Sequence, residues 1–171
     1  MALDTTIGGA SADSYATLAE YRSYAEAMGW CLTLNDITDE INLRRAAIVN
    51  DAGHNWLDYR VSADQALQWP RYIARYVDGF PVPADSIPTP VKNAQMEMAY
   101  LIQNGADPFA TVSTGSVVSE RKKVDVIETE ATYKDSSALM RPEYTGVDRL
   151  LMPYTSGRVG QKAASVPNMR V

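Results

Sequence analysis

NLRRAAIVNDAGHNWLDYRVSADQALQWPR, residues 42–71, reads as the end of a long amphipathic helix, a break at Gly53 and a Trp-Pro-Arg corner, and the rest of the chain is organised around it. Upstream, Thr38 followed by Asp39 and Glu40 predicts a capped helix start with acids in the first turn, favourable to the helix dipole. From there to Gly53, Ile41 with Ile48, and Leu43 with Ala46, Ala47 and Val49, are expected to form a broad apolar face, which leaves Arg44 and Arg45 on its flanks. After the glycine, Trp56, Leu57 and Tyr59 bring an apolar load expected to pack under that helix, and His54 reads as a polar turn residue. Ser62 with Asp64 and Gln65 predicts a short helical turn through Leu67, closed at Trp69-Pro70 because the residue before proline is driven out of the helical region.

Outward from this centre the chain alternates helices and loops. Residues 1–12 are small and polar and read as extended or flexible, within an N-terminal lead-in expected over residues 1–16. Thr17 with Glu20 forms a capping-box pattern for a helix over Leu18 to Met28, stopped by Gly29, whose apolar residues Leu18, Tyr21, Tyr24, Ala25 and Met28 share a stripe. Residues 70–90 hold five prolines among Tyr72, Tyr76 and Phe80 and read as a packed loop. Thr89 then caps a helix with Pro90 at its first position; Val91, Ala94, Gln95, Met98, Leu101 and Ile102 make its stripe, Met96 and Met98 read as core filler, and Gly105 ends it. Beyond Pro108, alternating charged and β-branched residues predict an extended excursion or β-hairpin over about residues 112–133. Its run Glu120-Arg121-Lys122-Lys123 is cancelled by Asp125, Glu128 and Glu130, so a solvated strand face is expected. Val147 to Met152 reads as a short helix over about residues 146–152. The acid-free stretch from Thr155 to Val171 reads as a weakly basic C-terminal arm. The expected fold class is mainly α: a small helical bundle of residues 17–154 with a β-hairpin or extended excursion and an extended C-terminal arm.

Composition excludes several functions. A chain of 171 residues with 46% hydrophobic content is long enough for one packed domain. Its 16 basic and 21 acidic residues, net −5, argue against a surface built to neutralise duplex phosphates. A single cysteine and a single histidine leave no intramolecular disulfide and no His-rich metal site. No nucleophile elbow accompanies His54, and Gly8-Gly9 lacks a phosphate-binding fingerprint, so neither catalysis nor a cofactor is expected. No leader pattern or membrane-length apolar run is present, and a soluble protein made in the cytoplasm is expected.

Taken in order, Ala12-Asp13-Ser14-Tyr15, Leu43-Arg44-Arg45-Ala46, Gln65-Ala66-Leu67-Gln68-Trp69-Pro70-Arg71, Ile87-Pro88 and Val147 to Pro153 resemble the head-to-tail adaptor proteins of tailed bacteriophages. That resemblance implies a structural virion protein at the neck, assembled in the bacterial cytoplasm. It implies a ring, commonly twelvefold, beneath the portal protein, with tail or stopper proteins docked on it and genomic DNA passing through without sequence-specific binding. The arm, with Arg158, Lys162, Arg170 and Val171, is then expected to contact the portal. Tyr21 and Tyr24 on the first helix, and Arg44 and Arg45 on the second, are the candidates for the subunit interface. The alternative is a single-stranded-DNA-binding or primosome-like module. It requires aromatics beside a basic groove, whereas most tyrosines here fall on predicted apolar stripes beside acids.

Overall fold

The computed structural model describes residues 2–109, 117–123, 128–133 and 143–159. Among the described residues the fold is mainly α, with four helices and small two-stranded sheets. Two compact units divide it, residues 107–143 and the remainder.

In the larger unit, α1 (Leu18–Met28) starts and stops where its sequence dictates. The Thr17 hydroxyl accepts the Glu20 amide at 3.1 Å, Glu20 accepts the Thr17 amide at 2.7 Å, and Gly29 closes the helix at φ 71°, where a side chain is unfavourable. Helix α2 (Asp36–Gly53) starts earlier than Thr38, because the Asn35 side chain accepts the Thr38 amide at 3.2 Å and is the cap. Helix α3 (Thr89–Gln103) likewise begins at Thr89, with Pro88 as a cap that makes no side-chain bond. A fourth helix, α4 (Thr145–Leu151), runs into a 3-10 turn at Met152–Tyr154.

Of the broad apolar face expected of α2, the Leu43, Ala46 and Ala47 part is buried and the Ile41 and Ile48 part is not. Asp39, Asn42, Leu43, Ala46, Ala47 and Asn50 turn inward, while Ile41 and Ile48 are 47% and 55% exposed. At 100° per residue, Ala46 and Ala47 cannot share a side with Ile41 and Ile48. The small alanines win because they let α2 approach Ala94 and Gln95 of α3 closely enough for the Gln95 side chain to reach the Leu43 carbonyl at 2.8 Å. Gln95 is fully buried and satisfied at every position. Its oxygen accepts the amides of Tyr15 (2.9 Å) and Ala16 (3.0 Å), and its nitrogen donates to Ser14 Oγ (2.8 Å) as well as to Leu43.

The lead-in, expected to be loose, is tied down. The Asp13 carboxylate accepts the Asp4 amide (2.9 Å) and the Arg44 guanidinium (2.5 Å), and Asp4 in turn accepts from the Thr6 amide (3.0 Å) and the Ser11 hydroxyl (2.7 Å). The arm is corrected at its base: Thr155–Arg158 forms a strand antiparallel to His54–Trp56. Residues 160–171 lie outside the described residues.

In the smaller unit, Val117–Lys123 and Glu128–Tyr133 form an antiparallel hairpin. Its register sets Arg121 opposite Glu130 and Lys123 opposite Glu128, so each of these basic residues has an acid as its cross-strand partner. Among the described residues no helix is long and apolar enough to cross a membrane.

Candidate nucleic-acid interface

Between α2 and α3 the chain folds into short strands that the sequence presents only as a proline-rich loop. After β1 (His54–Trp56) come β2 (Tyr59–Arg60) and β3 (Arg71–Tyr72), paired antiparallel with Tyr59 opposite Tyr72 and Arg60 opposite Arg71. Next, β4 (Tyr76–Val77) and β5 (Phe80–Pro81) are joined by Asp78 at φ 52° and Gly79 at φ 84°. Two successive positive φ values are the two-residue turn that Asp-Gly favours, since its twist matches that of the flanking strands. The dipeptide Asp78-Gly79 between Tyr76-Val77 and Phe80 is the signal in the sequence that marks this hairpin.

A buried frame holds the first pair in place. Trp69, 1% exposed, packs edge-on against Trp56 and Tyr154, with ring centroids at 6.0 and 5.5 Å, and its peptide bond to Pro70 is cis. Arg71 is buried and fans its guanidinium over backbone carbonyls: Nε donates to Leu57 (2.9 Å), Nη1 to Gln68 (3.2 Å) and Nη2 to Asp58 (2.7 Å). Its charge is thus used internally, and burial lowers its pKa. Gln65, also buried, accepts the Ser62 amide (3.0 Å) and donates to the carbonyls of Leu67 (2.9 Å) and Pro70 (3.1 Å). These bonds shape residues 62–70 as a bent loop; the helical turn expected there does not form.

Because directly opposed residues share a face, the inward Arg71 turns Tyr59 and Tyr72 outward together. Their rings sit 5.4 Å apart, tilted by 45°, and are 66% and 46% exposed. On the next hairpin Tyr76 and Phe80 are also exposed, at 68% and 73%. Arg60 and Arg75 are exposed nearby, each donating to a backbone carbonyl, of Gln65 and Pro153 respectively. Four aspartates and three arginines in residues 54–88 leave this region without a positive excess.

One carboxylate beneath this face is displaced in its titration. Asp51 accepts Tyr15 Oη–H (2.5 Å) and the Gln68 amide (3.0 Å), and burial nevertheless pushes its pKa up to about 6 from an ordinary 3.8. Tyr15 is raised well above 10 by the same burial and by the neighbouring Asp51 charge. Between about pH 4 and 6 the folded protein therefore holds a proton on Asp51 that the unfolded chain releases, so this group's stabilisation is complete at low pH and is lost as pH rises through 6. Relative to Asp51→Asn, the wild type is expected to lose roughly 3 kcal/mol of stability between about pH 4 and 7. Urea melts of both proteins across that range measure it, and a pH-independent difference between them refutes it.

The residues expected to face partners are largely occupied within the chain. Tyr21 is fully buried and so is not presented for a subunit interface, while Tyr24 is half-buried, donates to Glu97 (3.0 Å) and packs edge-on against Trp30. Arg44 pairs with Asp13 and lies 3.7 Å from Glu40, while Arg45 is exposed on α2. Arg158, expected to reach a portal, lies 3.3 Å from Asp148. Lys162, Arg170 and Val171 lie outside the described residues. His54 is buried, with Nδ1 3.0 Å from the Asn50 carbonyl and Nε2 3.0 Å from Asp148. Among the described residues no group of three or more His, Cys, Asp or Glu side chains is placed to hold a metal.

A family model described as "Putative DnaT-like ssDNA binding protein" matches residues 1–171, the whole chain. Elongation factor 4 of Synechococcus sp. (strain CC9311) is 32% identical over 106 residues, which is 61% of this chain and 17% of that protein's length. No solved structure matches. The family match overturns the resemblance to phage head-to-tail adaptors, and with it the virion neck, the ring beneath a portal, the tail-protein partners and passive DNA transit. The motifs behind that resemblance are mostly frame residues: Trp69 and Arg71 hold the corner and Arg44 holds the lead-in, which are folding roles rather than marks of an assembly. Over its full length, the chain belongs to the DnaT-like ssDNA binding protein family.

Proposed function

We propose that this protein binds single-stranded DNA on the aromatic face of its paired hairpins, with unstacked bases lying on Tyr59 and Tyr72 and extending toward Tyr76 and Phe80. The helices serve as a small bundle that presents this face. The observation that carries the reading is the Tyr59–Tyr72 pair, two large exposed rings side by side on a strand pair whose Arg71 is buried and hydrogen-bonded to backbone carbonyls. Aromatic rings in water are costly unless they meet a partner, and every nucleobase has a face to stack on them. The full-length family match supports the same ligand.

The charge balance sets the character of the binding. With four aspartates against three arginines in residues 54–88 and a net charge of −5 overall, attraction to phosphate is weak and stacking dominates. Paired duplex bases hide their faces, so single strands are preferred. The protein acts by binding rather than by catalysis, since its one histidine is committed to structural bonds with Asn50 and Asp148. Its place is replication in the cytoplasm, among primosome-like proteins that assemble on exposed strands.

Fluorescence anisotropy with a thymidine oligonucleotide of about twenty residues, and with a duplex of the same length, tests the proposal. The single strand is expected to bind more tightly. Its log K is expected to fall with log salt with a slope no steeper than about −1.5, corresponding to roughly two phosphate contacts. Equal or tighter duplex binding, or no binding of the single strand at low salt, overturns it.

A further inference from the structure

Beside Tyr72 the surface opens into a groove of about 680 Å³. Ile7 from the lead-in, Pro70 and Pro83 give it apolar walls, and Tyr72 belongs both to this groove and to the exposed ring pair. Tyr72 thus joins the ring pair to the groove. Proline and tyrosine rings are surfaces against which a nucleobase can stack.

The polar groups in the groove are few and of defined sense. Gln65 lines it but is fully used by the Ser62 amide and the carbonyls of Leu67 and Pro70. Ser62 Oγ accepts the Asp64 amide at 3.2 Å, which leaves its own O–H to donate. Asp85 is exposed, and its carboxylate makes no hydrogen bond or ion pair among the described residues. An ionised carboxylate only accepts, and it repels phosphate, so the groove is built for a base edge and not for the backbone.

We infer that this groove takes one guanine base from the bound strand, an inference that rests on the single-strand reading above. Guanine is the base whose pairing edge offers two adjacent donors, N1–H and N2–H, beside an acceptor, O6. The Asp85 carboxylate accepts the two donors and the Ser62 hydroxyl donates to O6. Thymine sets two carbonyl oxygens around its single N–H and meets the carboxylate with repulsion. Adenine and cytosine each offer one amino group next to a bare ring nitrogen. The consequence is a stacking-led binder with one position at which guanine is preferred.

The test compares a thymidine oligonucleotide with the same strand carrying one central dG or one central dA, titrated against wild type and Asp85→Asn. Wild type is expected to bind the dG strand roughly five- to fifty-fold more tightly than the all-thymidine strand, with little gain for dA. Asp85→Asn is expected to lose that gain while keeping its affinity for thymidine, which also shows that the variant is folded. If wild type binds thymidine but gains nothing from dG, or if Asp85→Asn keeps the full gain, the guanine assignment fails while the aromatic face stands. If no strand binds at all, both fail together.

Discussion

Replacing Tyr59 and Tyr72 together with alanine is expected to weaken single-stranded DNA binding on the order of a hundredfold while leaving the fold in place. Each base–aromatic stack contributes roughly 1 to 3 kcal/mol, and this pair offers two. With 66% and 46% exposure, the rings bury too little for the double substitution to open the core. Removing the cross-strand pairing of the two rings costs about 1 kcal/mol at most. Circular dichroism and the melting temperature are therefore expected to stay close to wild type while the anisotropy midpoint moves. Single substitutions are expected to fall between the two. Unchanged affinity in the double variant removes this face from consideration, whatever the protein binds elsewhere. A parallel loss of helicity instead makes the pair a folding element.

Gln95→Leu is expected to cost about 2 to 6 kcal/mol of stability, a large effect for a single substitution. The side chain is fully buried and closes four hydrogen bonds, to the amides of Tyr15 and Ala16, to Ser14 Oγ and to the Leu43 carbonyl. Leucine matches its size but leaves the Tyr15 and Ala16 amides without partners in the interior, each costing roughly 1 to 3 kcal/mol before relaxation, while Ser14 Oγ keeps its bond to the Ala16 carbonyl and the Leu43 carbonyl stays within α2. For a chain of this length the melting temperature is expected to fall by about 5 to 20 °C. Thermal melts monitored by circular dichroism measure it. A loss below about 1 kcal/mol means that water or a backbone shift replaces the bonds, and that Gln95 is not the link between lead-in, α2 and α3.

These two sets of side chains show where sequence reading succeeds and where it stops. The capping box at Thr17 and Glu20, the glycine stop at Gly29 and the stripe of α3 are legible because each is decided within one or two helical turns. Gln95 is legible as a member of that stripe, but its partners Leu43 and Ser14 lie 52 and 81 residues away, and no local pattern names them. The two isoleucines of α2 mislead for the same reason: hydrophobicity says inward, and close helix packing through Ala46 and Ala47 sends them outward. For the candidate site, Asp78-Gly79 marks one hairpin. The Tyr59–Tyr72 pair has no local signal, since its strands are joined through a bent loop.

The net charge of −5 weighs against a phosphate-gripping duplex binder, yet it does not bear on a surface that works by stacking, which needs no positive excess. The tyrosine stripe of the first helix holds Tyr21, which is core, and the exposed tyrosines lie elsewhere in the chain.

By itself the sequence determined the helices, the capping box and glycine stop of α1 and the Trp69-Pro70-Arg71 corner, because backbone propensity, capping and turn chemistry act over a few residues. Only the tertiary structure decided which side chains those elements turn to solvent. Arg71 had to be drawn inward by the carbonyls of Leu57, Asp58 and Gln68 before Tyr59 and Tyr72 could stand outward as a pair, and that competition between burial and exposure is settled by contacts between distant parts of the chain.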